Sequence, residues 1–375
     1  MKVIVVGGGI VGVSAAYRLT QRGVATTLVD RADLGQATGA GAGVIFPWPF
    51  PDASPQARSF CLAAAAHYPT LMAEITEEGG PPTGYEQVGG AAVADDPATV
   101  DAEYRMLSEL AGRPGYEGLG PVSRLGPGEP AVRFPALRED YAATWCAGMV
   151  RLDGDQTRAA LLYAAEERGL RRRAGDAELI VERDRVSGVR VGGDELRADA
   201  IIVAAGAWSA GLLRPFGVEL PLSPMRGQLV HFSLPDQRTG AWPIVRVSDR
   251  ACYLLAFPPN RVVVGSTFEP DAGFDRRVTA AGVRHVLSLA LETAPGLAEA
   301  TVAQTRVGFR PASADGEQLL GPLPALPGAI VATGLGSQGL TFGPYQGAVA
   351  ARLALGEDPE LDLTPFRPDR AVATP

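Results

Sequence analysis

The sequence predicts an α/β protein in which one domain is built on a parallel sheet and a second domain is mainly antiparallel β. Three observations support this fold class. An apolar run over Val3–Val6 continues directly into a glycine turn, a helix and a second strand. Two later apolar runs, 200–205 and 329–333, also end in glycine turns, and the stretch 221–267 reads as successive strands. At 375 residues the chain exceeds what one core usually holds, so two domains are expected.

The first thirty residues have the order strand, glycine turn, helix, strand and acid that dinucleotide binding requires. Gly7 permits the tight turn, Gly9 leaves room for a pyrophosphate beside the backbone, and Gly12 lets the helix pack closely on the strand. The helix N-terminus directs N–H groups and a positive dipole end at the phosphates. Asp30 ends the second strand, where its carboxylate can accept hydrogen bonds from ribose hydroxyls. The segment therefore predicts a bound ADP moiety, and by itself leaves FAD and NAD open.

The remaining elements follow from apolar periodicity and from glycine and proline positions. Helices are predicted over 13–22, 55–78, 98–110, 156–169, 280–291 and 343–355, a hairpin over 178–191 with its turn around 184–188, and strands over 3–6, 25–29, 198–204, 228–232, 251–256, 262–267 and 329–333. The parallel domain is thus expected to be discontinuous. Its predicted segments are 1–79, 146–219 and 311–375, with the antiparallel domain made from 80–145 and 220–310.

Composition excludes several classes of function. The net charge of −8 argues against nucleic acid or an anionic membrane as the main partner, and no apolar stretch is long enough to predict a membrane span. Without a signal-peptide pattern at Met1 we expect a cytoplasmic protein. The three cysteines and three histidines fit no disulfide framework, metal site or catalytic triad. Lys2 is the only lysine, which excludes lysine Schiff-base chemistry. A homo-oligomer is compatible with these data.

An aromatic and proline-rich segment, Phe46–Pro51, follows a loop rich in glycine and alanine over 34–43. The small residues allow a backbone to approach a ligand closely, although a flexible loop would have the same composition. Two interpretations of Phe46–Pro51 are equally supported: it lines a ligand pocket with aromatic side chains, or it is a hydrophobic staple between domains.

Four motifs in this order resemble the D-amino-acid oxidase superfamily of flavoenzymes, most closely its glycine oxidase and deaminating amino-acid oxidase branch. They are the fingerprint over 7–30, the small-residue loop over 38–44, the strand 201–208 ending in Ala205-Gly206-Ala207-Trp208, and a C-terminal pair formed by Gly308-Phe309-Arg310-Pro311 and 334–340. Pro224-Met225-Arg226-Gly227-Gln228 matches a further landmark, in which Arg226 is expected to be structural. The resemblance covers nearly the whole chain and implies a Rossmann-type FAD-binding domain with an antiparallel substrate domain.

The resemblance implies FAD as cofactor and indicates which residues hold it. The N-terminus of the last predicted helix would stabilise negative charge on the reduced flavin. The alternative for 334–340 is an ordinary glycine-rich turn between a strand and a helix. The cofactor-binding residues expected are Gly7, Gly9, Ile10, Val11, Gly12, Asp30, Arg31, Ala37, Thr38, Ala42, Gly43, Val44, Glu178, Gly206, Gly334, Leu335, Gly336, Ser337, Gln338, Gly339, Leu340 and Thr341. In sarcosine oxidases a cysteine anchors the flavin covalently. This chain has no cysteine after Cys252, so non-covalent FAD is expected.

For the substrate, the resemblance indicates Arg310 and Tyr253. The matching arginine of the superfamily pairs with the substrate α-carboxylate, a geometry that the planar guanidinium fits, and glycine oxidases place a tyrosine hydroxyl beside it. A surface ion pair and a half-buried strand tyrosine are the alternatives. Glycine oxidases carry a histidine where this chain has Leu335 and a basic residue where it has Ser337. A second positive contact near the substrate is therefore missing, which counts against glycine as the substrate.

The function implied is oxidation of the CH–NH bond of an amino acid or related amine by hydride transfer to flavin N5. The imine then hydrolyses, and O₂ or another electron acceptor reoxidises the flavin. Two alternatives remain on the same fold: a dehydrogenase that uses a quinone or carrier, and a 2-hydroxy-acid oxidoreductase. A non-catalytic flavoprotein module is a third.

Overall fold

The computed structural model describes residues 1–48 and 53–370. Its helices are α1 (Ile10–Gln21), α2 (Ala37–Ala40), α3 (Pro55–Glu77), α4 (Pro97–Ala111), α5 (Glu129–Arg133), α6 (Gly154–Glu167), α7 (Ser209–Leu213), α8 (Ala280–Thr293) and α9 (Gly339–Ala354). Its strands are β1 (Lys2–Val6), β2 (Ala25–Asp30), β3 (Val44–Ile45), β4 (Glu86–Gln87), β5 (Gly90–Val93), β6 (Val122–Leu125), β7 (Ala143–Cys146), β8 (Val150–Arg151), β9 (Arg171–Ala174), β10 (Ala177–Glu182), β11 (Arg185–Val191), β12 (Asp194–Arg197), β13 (Ala200–Val203), β14 (Leu222–Ser233), β15 (Ile244–Val247), β16 (Cys252–Phe257), β17 (Arg261–Gly265), β18 (Thr301–Ser313), β19 (Leu319–Pro322) and β20 (Ala329–Thr333).

A six-stranded sheet forms the first layer, with the strand order β19-β20-β13-β1-β2-β9. Every neighbouring pair is parallel except β19 with β20 at one edge. Val3 and Val5 of β1 pack in one apolar cluster with α1, α3, α6 and α9, while Ile4 and Val6 pack in another with the small antiparallel sheet β10-β11-β12. Because both faces are covered, β1 is a continuous apolar run rather than an alternating one.

An eight-stranded sheet forms the second layer, with the order β18-β14-β17-β16-β15-β5-β7-β6. Its pairs are antiparallel except β15 with β5. One face packs against α8, and the other contributes to an apolar cluster that contains Trp48 and Leu107. A fourth sheet of three strands, β3-β8-β4, joins the small-residue loop to the rest of the fold. The α/β prediction, with a parallel sheet and an antiparallel second unit, is confirmed. No helix in the described ranges is long and apolar enough to cross a membrane.

Several element bounds differ from the sequence-based expectation, and the strand β18, which carries Arg310, was not predicted. The predicted hairpin is present as β10 and β11, but its turn lies at Arg183 and Asp184, both with positive φ (52° and 62°), because a two-residue turn of this hand matches the strand twist. α9 begins four residues before the expected start at 343. β9 was not predicted, because its Arg-Arg-Arg-Ala sequence is wholly exposed and has no apolar alternation.

Arg226 ties the start of β14 to the loop that follows β17. Its Nε donates to Glu269 Oε2 at 3.0 Å, its Nη1 lies 3.0 Å from Asp275 Oδ2, and its side chain is 8% exposed. Burial raises the pKa of Glu269, but hydrogen bonds from Thr267, Arg226 and Gln228 outweigh it and hold the pKa below its usual range. Arg226 does not line the cavity described below. These contacts agree with a structural role for this arginine.

We expect Arg226→Met to lower the free energy of unfolding by about 2 kcal/mol, because it leaves the partly buried Glu269 carboxylate without its cation. Urea denaturation followed by circular dichroism measures this. Arg277→Met is the matched control, since Arg277 pairs with the same Asp275 but is 81% exposed, and its stability should stay unchanged. Equal effects of the two substitutions would contradict the structural role of Arg226.

Candidate active site

A cavity of about 1250 Å³ lies at the carboxyl ends of the parallel strands and extends over the face of the eight-stranded sheet. It begins at the glycine turn after β1, where the chain continues to β2 on one side while β13 lies on the other. Such a reversal of strand order is where open α/β sheets bind their ligands. The cavity ends between β20 and α9, so one space connects the first and last motifs of the chain.

The glycine turn has the steric properties expected from sequence. Gly7 has φ +110°, and a Cβ there would overlap the backbone of Ala204. A Cβ at Gly12 would overlap the Gly7 carbonyl, so Gly12 allows α1 to pack on β1 and does not itself line the cavity. The first N–H of α1, that of Ile10, donates to Thr38 Oγ1 at 2.9 Å. The helix terminus therefore presents its N–H groups from Val11 onward.

The Asp30 carboxylate lies over Gly8, where a Cβ would overlap it. It accepts hydrogen bonds from Ala32 N at 2.9 Å and from Gln36 Nε2 at 3.2 Å, and Arg158 Nη2 lies 3.4 Å away. Arg158 also donates through Nε to the Gly8 carbonyl, which joins the acid to the glycine turn. Sequence reasoning missed Arg158, because it lies in the middle of α6 with no motif around it.

Two further predicted residues lie at the edge of this part of the cavity. Arg31 pairs with Asp33 at 2.7 Å and Asp176 at 3.1 Å. Glu178 lines the cavity, but its carboxylate is 72% exposed and only 3.7 Å from Arg190 Nη1. Any contact of Glu178 with a ligand in the cavity would therefore use its backbone more readily than its side chain.

The segment between β20 and α9 closes the other end of the cavity. Every residue from Gly334 to Thr341 lines it. Gly336 and Gly339 face open space, since a Cβ at either position would meet no atom within 4 Å. Tyr68 Oη donates to the Leu340 carbonyl, and Thr341 Oγ1 donates to the Val44 carbonyl at 3.2 Å. These contacts hold the N-terminus of the sixteen-residue α9 against the cavity.

Arg310 and Tyr253 both line the cavity above the eight-stranded sheet. Arg310 Nη2 donates to Ser266 Oγ at 2.7 Å and Nη1 to the Thr267 carbonyl at 3.1 Å. Its guanidinium lies over Gly227 of β14, where any Cβ would overlap it, and the Phe268 ring centroid is 4.4 Å from its Cζ. The arginine is therefore held in place by contacts with neutral groups.

The Tyr253 hydroxyl lies over the adjacent strand, β17. A Cβ at Gly265 would be 2.6 Å from Tyr253 Oη. Gly265 pairs with Tyr253 on one side and with Leu229 of β14 on the other. Because β14 and β17 are neighbours, the guanidinium and the hydroxyl occupy adjoining positions on the same surface, each above a glycine.

The cavity wall nearest the sheet is largely apolar. Phe46 and Trp48 line it, and both also belong to or contact the apolar cluster on that face of the eight-stranded sheet. Phe46 and Trp48 thus line the cavity, as the first interpretation of the aromatic segment expects, whereas 49–52 lie outside the described residues. Arg246 of β15 and Glu103 of α4 also line the wall, and sequence reasoning identified neither.

The three cysteine thiols and the His231 ring are uncharged at neutral pH. Burial raises the pKa of Cys61 to about 12 and that of Cys146 and Cys252 to about 11, so all three are protonated thiols at neutral pH. Burial and the nearby Arg306 and Arg261 guanidinium groups lower the pKa of His231 to about 4, which leaves it neutral. Within residues 1–48 and 53–370, His, Cys, Asp and Glu form no group of three that could hold a metal.

The residues of this cavity fit FAD. Twenty-three of the twenty-four predicted site residues line it, Gly12 being the exception. The fit rests on the positive φ of Gly7, the first-turn donors of α1, the Asp30 carboxylate, and the open faces of Gly206, Gly336 and Gly339. These features lie along one continuous space, as an elongated dinucleotide requires.

Comparison with known proteins agrees with this geometry. The family model described as FAD dependent oxidoreductase matches residues 2–353. An uncharacterised oxidoreductase of Bacillus subtilis (strain 168) is 39% identical over 373 residues, covering 99% of each chain. A glycine oxidase of Pseudomonas putida (strain KT2440) is 28% identical over 380 residues, covering 98% of each. The crystal structure of iminodiacetate oxidase from Chelativorans sp. BNC1 has a TM-score of 0.93 and 39% identity, covering 98% of each chain. The chain therefore belongs to the family of FAD-dependent oxidoreductases.

Proposed function

We propose that this protein oxidises the C–N bond of a carboxylate-bearing amine, either an amino acid or an N-substituted glycine. The observation that carries the proposal is the pair formed by the Arg310 guanidinium and the Tyr253 hydroxyl, held above Gly227 and Gly265 in the FAD cavity. A planar cation with a neighbouring hydroxyl donor suits a carboxylate, and a site shielded from water strengthens that contact.

The cofactor is proposed to lie along the cavity with its ADP portion at the first helix. The first-turn N–H groups of α1 would face the pyrophosphate, and Asp30 would accept hydrogen bonds from the ribose. The segment Gly334–Thr341 would face the pyrimidine end of the ring system, where the α9 terminus stabilises negative charge. FAD would be held without a covalent bond, because the three cysteine thiols are protonated at neutral pH.

The two sheets are proposed to divide this work between two domains. The FAD-binding domain would comprise 1–79, 146–219 and 311–375, and the substrate domain 80–145 and 220–310. The six-stranded sheet takes strands from the first set, and Arg226, Tyr253 and Arg310 come from strands of the second. The substrate would then be bound between the two domains, as in many cofactor enzymes.

Bound FAD supplies the acceptor for the hydride that leaves the substrate Cα. The side chains of this protein position the substrate: Arg310 neutralises the carboxylate, Tyr253 adds a second donor, and the wall around Trp48 excludes water. No acid or base is needed at the Cα–H bond, so orientation supplies the acceleration. For an amino acid, the net reaction with oxygen consumes one water and one O₂ and yields an oxo acid, ammonia and hydrogen peroxide.

Iminodiacetate is the first substrate to test, because a relative that acts on it is 39% identical to this chain over 98% of its length. Glycine is the second, since glycine oxidases are 28–29% identical. The departures at Leu335 and Ser337 count against glycine, as they remove a basic side chain from the segment at the end of the cavity.

The second candidate is a dehydrogenase that passes electrons to a quinone or carrier. One observation favours it. Lys2, the only lysine, begins β1 and is not among the residues that line the cavity, so no lysine can promote the reaction with oxygen.

The holoenzyme should be mixed anaerobically with iminodiacetate, glycine, N-methylglycine and both enantiomers of several amino acids, including long-chain ones with a second carboxylate. We expect the absorbance of the oxidised flavin to bleach with at least one of these compounds, and peroxide to form when air returns. Bleaching without peroxide would favour the dehydrogenase. If no compound bleaches the flavin, amine oxidation is the wrong function.

Arg310→Met should raise KM for the best substrate of this panel at least about a hundredfold, because it removes a charge-assisted bidentate contact from a shielded site. Arg310→Lys should recover only part of the loss. Steady-state kinetics measure both. Arg284→Met, on the exposed side of α8, is the control and should behave as wild type. An unchanged KM for Arg310→Met would refute the carboxylate contact.

Asp30→Ala should weaken FAD binding by about tenfold or more, since ribose hydroxyls lose a charged acceptor. Flavin fluorescence on dilution of the holoenzyme reports the dissociation constant. Asp199→Ala is the matched control: its carboxylate accepts from Lys2 N at 2.7 Å at the opposite end of β1, outside the cavity. Retained affinity in Asp30→Ala would mean that Asp30 does not contact the nucleotide.

A further inference from the structure

A second cation lies in the same cavity, on the far side of Tyr253 from Arg310. Arg246 of β15 is directly opposite Tyr253 of β16 in the antiparallel register, so both side chains project from the same face of the sheet. Both line the cavity. The strand order β18-β14-β17-β16-β15 places Arg310 and Arg246 at opposite ends of this surface.

The partners of Arg246 leave part of its guanidinium free to bind a ligand. Arg246 Nη2 donates to Glu103 Oε1, and Ser248 Oγ donates to Glu103 Oε2 at 2.6 Å. The Glu103 side chain is 9% exposed, whereas that of Arg246 is 41% exposed. The carboxylate is therefore occupied by protein partners. The guanidinium has five N–H donors, so it can present others to the cavity.

The surroundings of Arg246 are poor in polar groups. Its sheet neighbours in the cavity wall are Ala92, Ile244 and Thr144, and Leu107 of α4 faces the same space. Burial lowers the pKa of Arg246 from its ordinary value. Apart from Glu103, Tyr253 and Thr144, the wall beside the Arg246 guanidinium is apolar. Its N–H groups that face the cavity have few polar partners there, so an incoming anion would be held strongly.

We propose that Arg246 binds a second carboxylate at the distal end of the substrate, so that the enzyme prefers amines with an anionic group at each end of a chain. This rests on the proposed function, in which Arg310 binds the first carboxylate. Gly227, beneath the Arg310 guanidinium, is three strands from Arg246, or about 14 Å at roughly 4.8 Å per strand. The substrate class is therefore a long-chain amino dicarboxylate.

A purely structural role, in which the Glu103 ion pair anchors α4 to the sheet, predicts no effect on ligands. Another ion pair of α4 provides the comparison. Arg124 of β6 pairs with Asp101 at 3.2 Å, with side chains 53% and 48% exposed, and neither residue lines the cavity. Arg124→Met therefore removes an anchor of the same helix without touching the ligand space.

The test uses ligands that cannot be oxidised, so it does not depend on turnover. The holoenzyme is titrated with linear dicarboxylates of increasing length up to sebacate and with their monomethyl esters, and binding is followed by the change in flavin absorbance. We expect the longest diacids to bind about tenfold more tightly than their monoesters, beyond the statistical factor for two equivalent ends. Arg246→Met should abolish this preference, Glu103→Gln should increase it, and Arg124→Met should leave it unchanged.

Equal binding of diacid and monoester by the wild type, or an unchanged preference in Arg246→Met, would overturn the proposal. If Arg246→Met fails to fold because Glu103 is left unpaired, the double variant Arg246→Met/Glu103→Gln removes both charges and gives the same readout. Arg310→Met should weaken diacid and monoester alike. If it weakens neither while Arg246→Met abolishes the preference, the Arg310 contact fails and the distal carboxylate site stands.

Discussion

The Arg310 guanidinium can lie along the sheet only because Gly227 has no side chain beneath it, and the Tyr253 hydroxyl depends in the same way on Gly265. The neighbouring strands β14 and β17 thus each have a glycine at the surface that faces the cavity. This arrangement brings a cation and a hydroxyl donor down onto a rigid sheet. The fixed positions of the guanidinium and the hydroxyl matter because orientation of the substrate, rather than acid–base chemistry, is the proposed source of catalysis.

Glycines also allow close contacts at the cofactor end of the cavity. Gly8 admits the Asp30 carboxylate, Gly12 admits the Gly7 carbonyl, and Gly343 and Gly347 allow α9 to approach α1, since Cβ atoms there would crowd Ile10 and Ala15. The two helix N-termini that face the cavity are therefore packed against each other. Because the cavity lies between these termini and the second sheet, small movements of either layer would change both cofactor and substrate contacts.

Sequence reasoning recovered the features whose physical cause is local. A strand, turn and helix in immediate succession define the Gly7–Gly12 turn, and the resemblance added Arg310 through the residues beside it. Arg158, Glu103 and Arg246 were missed, because their roles depend on pairing across more than a hundred residues. β9 was missed for a related reason: it is an exposed edge strand defined by its neighbour β2, without an apolar pattern of its own.

The central claim is that a substrate carboxylate is held by Arg310 and Tyr253 inside the FAD cavity. A crystal structure of the holoenzyme with an unreactive small carboxylate, such as methoxyacetate, tests it most directly. The account predicts carboxylate oxygens within hydrogen-bonding distance, about 2.7–3.1 Å, of the Arg310 guanidinium and of Tyr253 Oη. A carboxylate bound elsewhere in the cavity, with the Arg310 guanidinium contacting only groups of the protein, would contradict it.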